Sequence, residues 1–292
     1  MVDSTAADVV CRVIEERDLP KVVDCLMRGF PERPRLYWTD GLARLAARPA
    51  VGDLPRFGHL LAAGDKVVGV LLQIVSTRET ETGVTPRCNM AGWCVDPDYR
   101  GYGHPLHARA IGRREVVYFT VTPAPHTLKT LAAVGYRRYS EGQVIFAPLL
   151  SHGESGARVI EYAPDRPEAA LLAESDARLL ADHAALGCHA FIGLWRNEAR
   201  PLVFQPRRIW RDFIPCAHLI YCRDPSDLAR FGPGYGRRLA RHGRFFVVAD
   251  AVEPVPGLAG RYFAGREPRY YKGPRAPSPC DLADTELVIF GR

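Results

Sequence analysis

Trp93-Cys94-Val95-Asp96-Pro97-Asp98-Tyr99-Arg100-Gly101-Tyr102-Gly103-His104-Pro105-Leu106 decides the reading of this 292-residue chain. An apolar run ends in Asp-Pro, two glycines follow, and a helix start comes after them. Such a turn can hold an anion. Glycine lets backbone N–H groups approach a ligand with no Cβ in the way, and the unpaired amides of the following helix add partial positive charge. Pro105 is tolerated in a first helical turn, where N–H groups have no intrahelical partner, yet it removes one amide that could have faced a phosphate.

Outward from this stretch the elements fall into an ordered series. Val9 to Glu15 reads as a first strand, and Asp18 reads as the N-cap of an amphipathic helix through Val22, Val23, Leu26, Met27 and Phe30. A second helix spans 37–47. Two apolar runs, 58–63 and 67–76, flank the hairpin signal Ala63-Gly64-Asp65-Lys66. Cys88 to Val95 is the fourth strand. Past the glycine turn the pattern gives a short helix to Arg113, a strand over 116–121, a helix over 125–134 and a strand over 136–148.

The rest of the chain echoes this series. Cys88, Cys94 and Asp96-Pro97 recur with the same spacing as Cys216, Cys222 and Asp224-Pro225. The hairpin recurs around 193–201, and 245–249 answers 117–121. A common order of hairpin, strand, helix and strand is the mark of an internal duplication. In the second copy Arg230-Phe231-Gly232-Pro233-Gly234-Tyr235-Gly236 stands in place of the glycine turn, with Pro233 where a glycine would fall, followed by a basic helix through Arg237, Arg238 and Arg241. Residues 281–290 read as a closing strand.

The first copy, over about residues 8–148, resembles the GNAT acyltransferase superfamily. Its consensus Q/R-x-x-G-x-G/A becomes Arg100-x-x-Gly103-x-Pro105 here, and Gly135-Tyr136 stands where the family usually carries Gly-Phe. The resemblance implies an α/β (α+β) chain of two tandem GNAT-like domains, each a mixed central sheet flanked by helices. Residues 1–150 would form the acyl-CoA-binding domain, 151–157 a linker, and 158–292 a degenerate copy. Cys94, Val95, Arg100, Gly101, Tyr102, Gly103 and His104 would hold acetyl-CoA or another acyl-CoA as cosubstrate. A small-molecule amine or hydroxyl acceptor would attack the thioester directly, with a backbone N–H near Val95 stabilising the oxyanion.

Acid–base chemistry is where the pattern departs from the family. Leu131 replaces the tyrosine that often protonates the departing thiolate, and Asn89 is the one polar side chain of the fourth strand besides its cysteines. His126 takes the acid–base role by its ordinary pKa, with Tyr139 and then Tyr118 behind it. Cys94 reads as a buried small hydrophobe rather than a nucleophile. Glu79 and Glu81 fall near where acceptors enter in the family. The alternative reading is a non-catalytic acyl-CoA binder or sensor.

Composition excludes other classes. Hydrophobic content of 47% suffices for two cores, and no run of about 18 apolar residues exists, so no membrane association is expected. The beginning of the chain has no secretory pattern, and eight cysteines without a C-x-x-C pair suggest neither zinc nor a disulfide framework; no metal and a cytoplasmic location are expected. A net charge of +6 with only four lysines and scattered arginines gives no nucleic-acid-binding face, though it favours anionic ligands. Oligomeric state is left open.

Overall fold

The computed structural model describes residues 8–80, 83–210 and 213–291. The chain begins with β1 (Val9–Val13), α1 (Leu19–Gly29) and α2 (Arg35–Ala46), followed by β2 (Gly58–Ala63), β3 (Lys66–Thr80) and β4 (Gly83–Val95). A 3-10 turn over Pro97–Tyr102 leads into α3 (Gly103–Ala110) and β5 (Val117–Thr120). After a further 3-10 turn at Pro125–Thr127 come α4 (Leu128–Ala133) and β6 (Arg137–Phe146). The second copy runs β7 (Arg158–Glu161), α5 (Glu174–Ala185), β8 (His189–Trp195), β9 (Glu198–Ile209), β10 (Ile214–Cys222), α6 (Ser226–Arg230), α7 (Gly232–Arg241), β11 (Val247–Ala251) and β12 (Gly260–Lys272). A short α8 (Glu286–Ile289) lies near the end of the sequence.

Compactness divides the chain elsewhere than at residues 151–157. One unit holds everything up to Thr122 together with Tyr271–Arg275 and Asp284–Gly291, and the other holds Pro123–Tyr270 with Ala276–Ala283. The first unit's sheet has the order β1-β2-β3-β4-β5, antiparallel except for the parallel pair β4–β5. The second unit's sheet is ordered β12-β6-β11-β10-β9-β8-β7, with β10–β11 as its parallel pair. β6 follows the first copy in sequence but pairs antiparallel with β11, Phe146 opposite Val247.

Apolar periodicity explains the packing of each unit. Val22, Val23, Cys25 and Leu26 form the buried face of α1, over a sheet whose Leu60, Val68, Val70, Leu72 and Ile74 are fully enclosed. In the second unit Phe146, Phe191, Leu202, Phe204, Leu219, Tyr235 and Leu239 make one cluster. Asp18 does not cap α1 with its side chain; its carboxylate turns back to accept from Glu15 N at 2.9 Å and to pair with Arg12 at 2.5 and 2.7 Å.

The duplication extends to an irregularity. On β4, Gly92 and Trp93 stand opposite the single residue Leu71 between the pairs Leu72↔Ala91 and Val70↔Cys94, with Gly92 at φ +53°. On β10, Ile220 is likewise extra between Leu219↔Phe204 and Tyr221↔Val203. Both central strands thus carry a β-bulge at matching positions, which bends the strand and interrupts its ladder. Parallel pairing covers only Arg87–Asn89 with Val117–Phe119 in the first copy and Ala217–His218 with Val247–Val248 in the second. Beyond these pairs the strands part.

The glycine run of the second copy is helical. Gly232, Gly234 and Gly236 lie in α7, where a Cβ on Gly234 would meet Val159 and one on Gly236 would meet Pro148 and Leu149 at 3.0–3.2 Å. These glycines bring the helix close to its own chain, while Arg237 and Arg241 face solvent. The closing segment also differs from the expected strand. Val288 N and Ile289 N donate to Thr285 O and Phe290 N donates to Glu286 O, so the apolar run forms a helical turn buried all round; four apolar residues fit either period. Among the described residues no helix is long and apolar enough to cross a membrane.

Buried ionisable groups set the acid limit of this fold. Burial alone would push the Asp250 carboxyl up, yet Arg269, donating through Nε at 2.6 Å, holds it well below the usual carboxylate range. His218 is pushed down to about 4, by burial first and by Arg207 and Arg269, against the opposing pull of Asp250. His107 is pushed down to about 4 by burial, then by His104 and Lys272. The unfolded chain takes up these protons near pH 6.5 and the folded chain only near 4, so stability is complete above about pH 6.5 and falls as pH drops, by about 1.4 kcal/mol per unit for each histidine. Denaturant unfolding at pH 7 and pH 5 should differ by at least about 2 kcal/mol. Equal midpoints would show that the two histidines do not stay neutral.

Candidate functional site

In the first unit the parting of β4 from β5 makes a fork. At its apex Asn89 bridges the strands, donating from Nδ2 to Phe119 O at 3.3 Å. Past it, Gly92 to Val95 have β3 on one side. The strand then ends in Asp96, whose N–H bonds Val68 O at 2.7 Å and whose carboxylate is held bidentate by Arg28 at 3.0 Å and by Lys66 at 3.0 Å. Burial works to raise the Asp96 carboxyl, but the two cations lower it. An open pocket of about 250 Å3 lies here, with Cys25, Arg28, Lys66, Cys94, Val95 and Asp96 in its wall.

The glycine turn follows as helical backbone. A Cβ on Gly101 would meet nothing within 4 Å, and one on Gly103 would make only ordinary contacts with Val95 and Trp93 at 3.8–3.9 Å. Gly103 has φ −60° and ψ −44°, which any residue adopts. Neither packing nor backbone conformation demands glycine here; Gly101 is exposed with open space around it, while Gly103 is buried and its N–H donates to Arg100 O. Arg100, Tyr102 and His104 are exposed around it, and Pro105 occupies the third position of α3. Trp93 stacks on the buried His107 at 4.9 Å between centroids.

The segment 284–291 completes the apex. Asp284 receives Arg48 at 2.7 Å, Arg78 at 3.2 Å and Arg87 at 3.8 Å, and Phe290 lies against Trp38 and Tyr37. Between these anchors Glu286 N donates to Asn89 Oδ1 at 2.8 Å, and the Glu286 carboxylate accepts from Thr122 Oγ1 at 2.6 Å. A carboxylate therefore reaches the fork, although β4 supplies none.

The second unit treats the equivalent place differently. Cys222 N donates to Cys280 O at 3.0 Å, Leu282 N donates to Ile220 O at 2.8 Å, and Tyr221 bridges Asp281. The chain itself bridges the edge that β10 exposes after its bulge. Among the described residues no segment does this to Gly92–Val95.

The residues singled out in the sequence fall in two groups. Cys94, Val95, Arg100, Gly101, Tyr102, Gly103 and His104 are contiguous along the end of β4 and the turn, all in the first unit. His126 is exposed on the 3-10 turn at Pro125–Thr127, and Tyr139 is buried in β6; both belong to the second unit. Tyr118 is buried in β5, accepts from Arg113 N at 3.2 Å, and is pushed up to about 12 by burial. Glu79 is exposed and Glu81 lies outside the described residues. Sequence reasoning missed the Gly92 bulge, for which a lone glycine within a strand was the available signal. It also missed Glu286, which no local pattern connects to Asn89.

No protein-family description matches the chain's sequence, and no curated protein does. Solved structures do. A GCN5-related N-acetyltransferase from Anabaena variabilis superposes with a TM-score of 0.56 at 12% identity, covering 91% of this chain and 72% of that one. The fold is the GNAT fold. An acetyltransferase from Pyrococcus horikoshii, itself named only by inference, gives 0.55 at 14% identity over 94% and 93% of the two chains. Eis1 from Mycobacterium abscessus gives 0.53 at 14% identity over 91% and 73%. The chain carries two GNAT-like halves in tandem, with matching hairpins, bulged central strands and parallel neighbours. In this GNAT fold the anchor of the apex is Asp284, and Asp284→Asn removes the negative charge on which Arg48, Arg78 and Arg87 converge. The loss should be about 3 kcal/mol or more in denaturant unfolding; a change under about 1 kcal/mol would show that the anchor is dispensable.

Proposed function

We propose that this chain is a GNAT-superfamily acyltransferase that uses acyl-CoA, with acetyl-CoA as donor, and acylates the nitrogen or oxygen of a small-molecule acceptor at its first half. The observation that carries this reading is the contrast between two equivalent edges: Ile220–Cys222 is covered by the chain's own Cys280–Leu282, while among the described residues no segment covers Gly92–Val95 beside the glycine turn. An extended ligand arm with amide groups suits such an edge, and the exposed turn at Gly101, with Arg100 beside it, is where a diphosphate would lie.

In this reading the backbone at Cys94 and Val95 orients the thioester, and an N–H near Val95 polarises its carbonyl. The neutral acceptor attacks the carbonyl carbon, the new N–C or O–C bond forms, and the C–S bond breaks to release CoA as thiolate. Glu286 takes the acceptor's proton. Its carboxylate is oriented by Thr122 and its backbone is fixed on Asn89, within the unit that holds the turn. His126 and Tyr139, the candidates from the sequence, are the alternative acid–base groups. A second reading, a binder or sensor without turnover, is favoured by Leu131, buried in α4 where the family often carries a tyrosine.

Release of free thiol from acetyl-CoA across a panel of small amines and hydroxylated acceptors separates the two readings; binding by calorimetry without release favours the sensor. Gly101→Glu places bulk and negative charge in open space, so folding should be untouched while CoA affinity falls at least tenfold, or about 1.4 kcal/mol. Equal affinities would remove the cradle.

Glu286→Gln should preserve CoA affinity, lower kcat about a hundredfold, and abolish the acidic limb of the pH profile. His126→Gln should stay within about twofold of wild type. The reverse pattern would return the base to the imidazole.

A further inference from the structure

Two sulfurs meet where β4 ends. Cys25 Sγ, on α1, lies 4.0 Å from Cys94 Sγ, and Cys94 Sγ also approaches Cys25 O at 3.8 Å. One turn further along α1, Gly29 packs so closely on Cys94 that a Cβ there would collide with it. The two thiols share the wall of the pocket of about 250 Å3, with Arg28 and Lys66 beside them and Asp96 as the counter-charge. Cys94 is part-exposed, and Cys25 is buried but lines the pocket wall. The copy in the second unit offers an internal contrast, since Cys222, the counterpart of Cys94, also neighbours a thiol, Cys280, but both of these are buried.

We propose that Cys25 and Cys94 are a peroxide-reactive dithiol whose disulfide draws the end of β4 onto α1 and so weakens the adjacent glycine cradle. The hydrogen bond with Cys94 is the main influence that lowers the Cys25 thiol, with help from Arg28 and Lys66 against burial. The hydrogen bond with Cys25, then burial and the negative charge nearby, raise Cys94 well above its ordinary value. Cys25, which lines the pocket next to Arg28 and Lys66, is the attacking thiolate, and Cys94, 4.0 Å away, is the resolving thiol. The oxidant is hydrogen peroxide or another hydroperoxide. Cys25 sulfur attacks one peroxide oxygen, the O–O bond breaks, and a sulfenic acid forms at Cys25 while the hydroxide released takes up the proton that the thiol had lost. Cys94 sulfur then attacks Cys25 sulfur, the S–S bond forms, the S–O bond breaks, and the Cys94 proton leaves with that oxygen as water. One peroxide is reduced to two waters and two thiols are oxidised to one disulfide.

The cradle part of this proposal rests on the acyl-CoA reading; the chemistry of the pair does not. Full-length protein treated with a modest excess of hydrogen peroxide should lose two hydrogens by intact mass, and peptide mapping should find Cys25 joined to Cys94, reversibly with dithiothreitol. Cys25→Ser should abolish the change, and Cys94→Ser should leave a sulfenic acid on Cys25 that a dione probe traps. A crosslink at Cys222–Cys280 instead, or the same mass loss in Cys25→Ser, would overturn the proposal. Calorimetry should show CoA affinity falling about tenfold on oxidation and returning on reduction. A mapped crosslink with unchanged affinity would overturn its grip on the cradle. Reduced protein that binds no CoA would instead fail the acyl-CoA reading, with the mapping still deciding the thiol chemistry.

Discussion

Two parallel strands that pair over only two or three residues and then part create a problem the rest of each unit must solve. Parting exposes N–H and C=O groups along both inner edges, and buried backbone groups without partners are costly. The bulge at Gly92 follows the last parallel pair in the first half, and the extra residue Ile220 follows it in the second. The halves then differ in what meets the exposed edge. In the second it is the chain's own Cys280–Leu282, and in the first the Asn89 side chain closes only the apex. Degeneracy of the second half is thus a matter of self-occupation as well as lost motif residues. Its glycines have turned to packing a helix against Pro148, Leu149 and Val159.

The order of the elements was legible because each rests on local chemistry. The Asp-Pro and glycine turn, the hairpin at Gly64 and the amphipathic face of α1 announce themselves within a dozen residues. The Cys88–Cys94 and Cys216–Cys222 echo correctly marked matching strands. What stayed hidden is non-local. Nothing around Asp284 tells that three arginines from distant positions converge on it, nor that Glu286 will meet Asn89. The run Leu287–Phe290 fits a buried strand or a buried turn of helix equally well, and only its partners choose. β6 reads as the end of the first copy by sequence, yet its hydrogen-bond partner is β11.

Arginine usage takes on a different meaning in the folded chain. Scattered along the sequence, the arginines look like bias; in the structure several are pinned to enclosed carboxylates, as Arg269 is to Asp250 and Arg28 to Asp96. The planar fork of guanidinium suits this bidentate task better than an ammonium. Such pairs are weak evidence for net stability, because desolvation consumes much of the attraction. Their geometric demands do fix register, and Asp284 does this for a segment with few other means of finding its place.

The membership of residues 284–291 in the first unit has a consequence for how the protein is made. Synthesis runs from the N-terminus at about 5–20 residues per second, so the strands and helices up to Thr122 leave the ribosome well before Asp284 and Phe290 exist. During that interval Arg48, Arg78 and Arg87 lack their carboxylate, and Trp38 and Gly41 lack the aromatic ring that covers them. The nascent first unit must wait in an unfinished state until this last segment arrives. A nonsense codon late in the gene would accordingly damage the half that was translated first.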